Sequence, residues 1–121
     1  MKRILAVDDD NTMTEYYKAL LEEAGYQVRT AEDATSAVMV FRDFNPDLII
    51  LDVEMPSGGG ERVFEITREI CEGGFPVIFV TGLPDRVEKL VLKFPNVGIM
   101  QKPVKSKELL GVVSGLLGEG R

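Results

Sequence analysis

Asp47-Leu48-Ile49-Ile50-Leu51-Asp52-Val53-Glu54-Met55-Pro56 is an apolar run that stops at a carboxylate and breaks into a proline-glycine loop. Four consecutive apolar residues, 48–51, suit a strand covered on both faces. The loop that follows, Pro56-Ser57-Gly58-Gly59-Gly60, continues neither a strand nor a helix. Asp52 therefore stands at the carboxyl end of a buried strand. Open parallel sheets form their ligand crevices at such ends, so a carboxylate there is a better candidate for chemistry than one on a helix surface.

Outward from this strand the chain alternates. Ile4, Leu5, Ala6 and Val7 form a short buried strand ending in Asp8, Asp9 and Asp10; Asn11 is placed to cap a helix with Met13, Tyr17, Leu20 and Ala24 on one face, closed by Gly25. Residues 26–31 alternate as an edge strand would, and Ala34, Ala37, Val38 and Phe41 repeat at helical spacing up to Asn45-Pro46. Beyond the Asp52 loop, Val63, Ile66 and Ile70 mark a third helix, Val77 to Val80 a fourth strand closed by Thr81-Gly82, and Pro84 opens a fourth helix through Val87, Leu90, Val91 and Phe94. A fifth strand over 97–100 runs into Lys102-Pro103. A last helix from about Ser106 carries Leu109, Leu110, Val112, Val113, Leu116 and Leu117. Five strands and five helices in strict alternation with short connections predict an α/β fold, a doubly wound five-stranded parallel sheet of order 2-1-3-4-5.

Composition narrows the function. At 121 residues and 45% hydrophobic content the chain supports one core and one domain, expected over 1–118 with 119–121 as a tail. The single cysteine, Cys71, has no internal disulfide partner, and no charged-then-apolar leader precedes Ile4, so a reducing, cytoplasmic setting is expected. A net charge of -6 disfavours direct nucleic-acid or anionic-membrane binding, and no run approaches the roughly 18 to 20 apolar residues of a bilayer span. Histidine is absent. Any proton or phosphoryl chemistry must therefore use carboxylates, lysine or hydroxyls.

In the predicted strand order, strands one, three, four and five are neighbours, and they end in Asp8 and Asp9, in Asp52, in Thr81 and in Lys102. Carboxylates some 4 Å apart repel by ~1 kcal/mol per pair in water and ~4 kcal/mol at an effective dielectric of 20, so the cluster calls for cations. Lys102 is one. A hard divalent ion such as Mg²⁺, taking carboxylate oxygens, a carbonyl and waters, is the other. Such a site suits a phosphoryl group, with Asp52 as nucleophile and Thr81 as donor to a phosphoryl oxygen. The plainer reading of Asp8-Asp9-Asp10, a helix cap worth ~0.3 to 1 kcal/mol per acid, fits Asp10 but leaves the convergence with Asp52 and Lys102 unexplained.

The ordered set Ile4-Leu5-Ala6-Val7-Asp8-Asp9-Asp10, Leu51-Asp52-Val53-Glu54-Met55-Pro56, Val80-Thr81-Gly82 and Gln101-Lys102-Pro103 resembles the receiver domain of two-component response regulators of the chemotaxis type, with its flavodoxin-like fold. The resemblance covers nearly the whole chain. It implies Asp52 as phosphoacceptor, Asp9 and Asp52 as direct Mg²⁺ ligands with the Glu54 main-chain carbonyl, and Asp8 acting mainly through a metal-bound water. It further implies that Thr81 binds a phosphoryl oxygen, that Lys102 pairs with Asp52 before and after transfer, and that the Lys102-Pro103 bond is cis. The implied partners are a histidine kinase or a histidine phosphotransfer protein upstream and a downstream protein or fused output domain. Self-phosphorylation and self-dephosphorylation would be the only turnover. The rival readings are a degenerate receiver that binds partners without phosphorylation and a Mg²⁺-dependent phosphohydrolase; the complete acidic set opposes the first, and the lack of an acid-base partner for a leaving alcohol opposes the second.

The chain departs from the family at Ile99, where many receivers carry an aromatic switch residue, and at Val104 after the Lys-Pro pair. Any output would then rely on backbone shifts of strand four, helix four and strand five, and helix four, strand five and helix five form the face where a partner or a second copy would dock. Glu54 and Leu83, two residues beyond Asp52 and Thr81, flank the expected path of hydrolytic water and so bear on the lifetime of an acyl phosphate.

Overall fold

The computed structural model describes residues 1–54, 65, 75–88 and 96–118. Five strands form one parallel sheet: β1 (Arg3–Val7), β2 (Gln27–Ala31), β3 (Leu48–Asp52), β4 (Val77–Thr81) and β5 (Val97–Gln101), in the order β2-β1-β3-β4-β5. This is the predicted order. Among the described residues there are three α-helices, α1 (Asn11–Glu23), α2 (Ala34–Phe44) and α3 (Ser106–Leu116), plus a 3-10 turn at Pro84–Arg86. The expected third helix, around Val63 and Ile70, and most of the fourth lie outside the described residues, as do Cys71 and the tail at 119–121.

Sheet position follows from composition. All five residues of β3 and of β4 are buried, as expected of central strands covered on both faces, whereas β2 alternates buried and exposed along one edge. The alternating side chains of β3 divide between two cores. Ile49 and Leu51 pack with Phe41, Ala37 and Phe79 on one face, and Leu48 and Ile50 pack with Tyr17, Leu21 and Leu109 on the other. Each such fully buried aliphatic side chain contributes about 1.5 to 3 kcal/mol relative to exposure.

Two local details of α1 are settled. Of the two residues read as its cap, Asp10 is the one, its side chain accepting from the Thr12 N–H at 2.9 Å, whereas Asn11 is already the first helical residue. A carboxylate is the better cap there because it also faces the positive end of the helix dipole. The buried stripe of α1 is Thr14, Tyr17 and Leu21; Met13 and Leu20 are only half-buried and Ala24 is exposed. The stripe therefore turns one residue from the apolar pattern, bringing Thr14 inward, where its hydroxyl donates to the Asn11 carbonyl at 3.1 Å.

At the amino-terminal edge of the sheet, the Arg3 N–H donates to Asp47 Oδ2 at 2.8 Å and its guanidinium donates to the Phe44 carbonyl at 2.9 Å. Arg3 and Arg29 both lie against the Phe44 ring, at 5.8 and 5.2 Å from its centroid. Asn45 ends α2 in the left-handed conformation, with φ of 53°, which an asparagine tolerates better than most residues.

Candidate functional site at the carboxyl ends of the strands

The strand order brings the ends of β1, β3, β4 and β5 side by side, and each leaves its polar residue at the same edge. At β1, three consecutive acids divide their tasks. Asp8 is fully buried and its Oδ1 accepts the Asp10 N–H at 2.9 Å, Asp9 is exposed on the rim, and Asp10 caps α1. At β3, Asp52 is 1% exposed, and its Oδ1 accepts from Lys102 Nζ at 3.0 Å and from the Glu54 N–H at 3.4 Å. At β4, Thr81 is buried and its Oγ1 accepts the Leu83 N–H at 2.9 Å. Lys102 follows β5. Its N–H donates to the Thr81 carbonyl at 2.9 Å, its Nζ lies 3.9 Å from Asp8 Oδ2, and its bond to Pro103 is cis.

Asp8, Asp9, Asp52, Thr81 and Lys102 thus meet at one edge. One carboxylate oxygen from each of Asp8, Asp9 and Asp52 lies within 4.8 Å of the others. Burial pushes the Asp8 carboxyl up from 3.8 to about 6; the charges of Asp52 and Asp9 push the same way, and the Asp10 N–H and Lys102 oppose them. For Lys102, burial draws the ammonium down, but the hydrogen bond to Asp52 and the charges of Asp8, Asp52 and Glu54 outweigh it, leaving its pKa raised. The ammonium stays charged.

Fit to a cation can be judged from the oxygens that remain. Asp8 Oδ2 and Asp52 Oδ2 are buried and have no hydrogen-bond partner. A buried carboxylate oxygen left without a donor costs about 1 to 3 kcal/mol or more, and native proteins rarely leave one so. A single ammonium within reach of two carboxylates, with a third on the rim, leaves the set short of positive charge. These three oxygen donors suit a hard ion such as Mg²⁺, which keeps several waters and takes only one or two carboxylates directly.

Three features went unread in the sequence. The Glu54 side chain, expected to matter through its main-chain carbonyl and its place near the water path, reaches across to β4: its Oε2 accepts the Thr81 hydroxyl at 2.5 Å and its Oε1 the Gly82 N–H at 3.1 Å. Gly82 was read only as a strand terminator. The adjacency of the β3 and β4 ends would have placed Glu54 near Thr81, but not which way its side chain turns. Tyr17 is the third. Its hydroxyl is buried without a hydrogen-bond partner, and burial, together with the charges of Asp8 and Asp52, holds its pKa far above the ordinary tyrosine value.

Comparison with known proteins adds to this geometry. The family profile described as the response regulator receiver domain matches residues 4–114. Protein PilH of Pseudomonas aeruginosa is 34% identical over 121 residues, covering 97% of this chain and 98% of that protein. The DNA-binding response regulator MtrA of Mycolicibacterium paratuberculosis is 32% identical over 117 residues, and the chain spans about half of its length, 51%. Among solved structures, a CheY-like response regulator receiver domain protein from Methanospirillum hungatei superposes with a TM-score of 0.86 at 30% identity, covering 98% of this chain and 95% of that one.

Proposed function

This chain belongs to the response regulator receiver family, and we propose that it is a two-component phosphoacceptor in which Asp52 takes a phosphoryl group from a phosphohistidine of a partner kinase or phosphotransfer protein. An Asp52 oxygen forms the new bond to phosphorus while the phosphorus–nitrogen bond of the donor breaks and the imidazole nitrogen keeps the electron pair. Lys102 stays beside the acceptor as a fixed positive charge. Thr81 donates its hydroxyl proton to a phosphoryl oxygen once transfer has occurred. Asp9, Asp52 and the Glu54 main-chain carbonyl would hold Mg²⁺ directly, with Asp8 acting through water, and the bound ion would supply positive charge against the transferring group. Beyond its own phosphorylation and dephosphorylation the domain turns over no separate substrate.

The observation that carries this reading is the pair of buried oxygens, Asp8 Oδ2 and Asp52 Oδ2, that lack hydrogen-bond partners within a cluster already holding one lysine. Incubation with Mg²⁺ and acetyl phosphate is expected to add the mass of one phosphoryl group, and chelation of the metal or Asp52→Asn to prevent it. Undiminished labelling of Asp52→Asn would overturn the acceptor assignment. Absence of labelling in the wild type, also with a competent kinase, would leave only a phosphorylation-independent interaction module.

Output passes, in this reading, through the face expected from helix four, strand five and helix five. Its described part is a groove of about 440 Å³ between β5 and α3, lined by Ile99, Gln101, Lys107, Glu108 and Val112 among others. Ile99 is half-buried there, so it can repack without the large swing of an aromatic ring. A differential stabilisation of about 1.4 kcal/mol shifts a two-state ratio tenfold, which suffices for a switch. The partner at this face is a downstream protein, a fused output domain or a second copy of the chain. Gel filtration with and without beryllofluoride tests the last: a shift to twice the mass supports it, and an unchanged monomer removes it.

A further inference from the structure

The Thr81 hydroxyl has one proton, and that proton is already committed. It is donated to Glu54 Oε2 at 2.5 Å, while the adjacent Gly82 N–H is donated to Glu54 Oε1 at 3.1 Å. One carboxylate thus spans two donors on consecutive residues at the end of β4, the strand beside Asp52. A hydroxyl and a backbone N–H presented side by side form a seat for two oxygens of an anion. We propose that the Glu54 side chain is an internal anion that fills the seat for phosphoryl oxygens in the resting protein, and that it must withdraw before Thr81 and Gly82 can serve the phosphorylated Asp52. The inference rests on the reading of Asp52 as phosphoacceptor and extends it to a residue that sets the rate and the resting affinity of the site.

Donor counting makes the two occupants exclusive. A hydroxyl donates one hydrogen bond, so Thr81 cannot hold Glu54 and a phosphoryl oxygen together. Charge works the same way. The Glu54 carboxylate and the incoming phosphoryl group are both anions next to Asp52, and they would repel each other at a shared seat. Withdrawal is open to Glu54 because it is half-buried, not enclosed, and its carboxylate can turn to water. The resting state is therefore closed by a reversible competitor, and the apparent affinity for a phosphoryl group falls by the fraction of molecules in which Glu54 has already left. A single charge-assisted bond of this kind corresponds to about a tenfold effect at the lower end of its range.

Three substitutions separate occupancy from bulk charge. Glu54→Asp keeps the charge and the main-chain carbonyl but shortens the arm by one methylene, so the carboxylate no longer spans Thr81 and Gly82. Glu54→Ala removes both charge and contact, and Glu54→Gln keeps the length but offers one acceptor oxygen instead of two. With Mg²⁺ saturating for each variant, the rate of mass labelling by acetyl phosphate is expected to rise about tenfold in both Glu54→Asp and Glu54→Ala, with Glu54→Gln between them and the wild type. In the metal-free protein, amide exchange at Gly82 is expected to be about tenfold faster in Glu54→Asp than in the wild type, a change that loss of catalysis alone would not produce. The proposal fails if Glu54→Asp labels at the wild-type rate while Glu54→Ala and Glu54→Gln speed up together, since charge alone would then be the cause. It also fails if Gly82 exchange is unmoved. Labelling that persists in Glu54→Asp combined with Asp52→Asn would instead sink the acceptor assignment, so the two failures are distinguishable.

Discussion

The two halves of the strand-end cluster stand in opposite conditions. On the β1–β3 side, acceptors outnumber donors: Asp8 Oδ2 and Asp52 Oδ2 are buried without a hydrogen-bond partner, and among the described residues Lys102 is the one cation beside both carboxylates. On the β4 side, the donors of Thr81 and Gly82 are both engaged by one side chain of the protein, Glu54. One half is short of positive charge; the donors of the other are filled by an anion of the protein itself. In the proposed function, loading the site would therefore mean adding positive charge on one side and removing negative charge on the other. The halves are coupled through residue 54, whose N–H donates to Asp52 and whose carboxylate accepts from Thr81.

The largest effect should come from filling the acidic half. In the proposed function magnesium would bind the folded site and not the unfolded chain, so at a hundred times its dissociation constant it should stabilise the protein by about 2.7 kcal/mol, read as a shift in urea midpoint. A midpoint indifferent to magnesium would remove the contrast between the halves. Next comes the cost of holding Asp8 ionised. Its folded-state pKa of about 6 lies above the ordinary 3.8, so the folded protein binds this proton more tightly than the unfolded chain does. Metal-free stability should then fall as pH climbs from about 4 to about 6, and Asp8→Asn should remove that slope and gain about 2 kcal/mol at pH 7.5. Urea titrations at two pH values in chelator check both signs. A loss of stability in Asp8→Asn would mean that the acidic half is not under strain.

Opening the satisfied half should cost less. Thr81→Val keeps shape but deletes the hydroxyl, and a loss of about 1.5 kcal/mol is expected, at the low end for a bond to a charged acceptor because Glu54 can turn to water. A loss above 3 kcal/mol would make the Thr81–Glu54 contact a structural tie instead of a removable stopper. The smallest effect concerns lifetime. Leu83 is 58% exposed and follows directly on the donors at Thr81 and Gly82; in the proposed function its apolar side chain would hinder the approach of water to an acyl phosphate on Asp52. Leu83→Asn should hasten phosphate release a few-fold, about 0.6 to 1 kcal/mol in barrier, measured after acetyl phosphate is removed. Slower release in the mutant would contradict the shielding role.

What could be read from the chain follows from how far each physical signal reaches. Apolar runs bounded by proline, glycine and acids located four of the five strands, because a strand buried on both faces leaves few polar positions between its ends, and alternation located the edge strand β2. The same rule put Asp8, Asp52, Thr81 and Lys102 at one edge before any coordinates. The Glu54 arm was not legible, because residue type and strand adjacency fix where a side chain starts but not which rotamer it adopts among competing donors. The inward turn of Thr14 in place of Met13 escaped for a related reason: a threonine that bonds its own helix carbonyl hides its polarity and can sit in a core. Asp10 against Asn11 as helix cap was a one-residue ambiguity between two equally good capping types. The third helix and most of the fourth, expected from apolar spacing, fall outside the described residues.

Tyr17 carries a consequence for watching this molecule at work. The chain contains no tryptophan and three tyrosines, so phenols dominate its near-ultraviolet emission. One of those phenols is sealed in the core, 5.9 Å from the ring of Tyr16, with its hydroxyl in the field of Asp8 and Asp52. In the proposed function, a cation held by those two carboxylates would change the field at that ring, and tyrosine emission would then report loading without a dye.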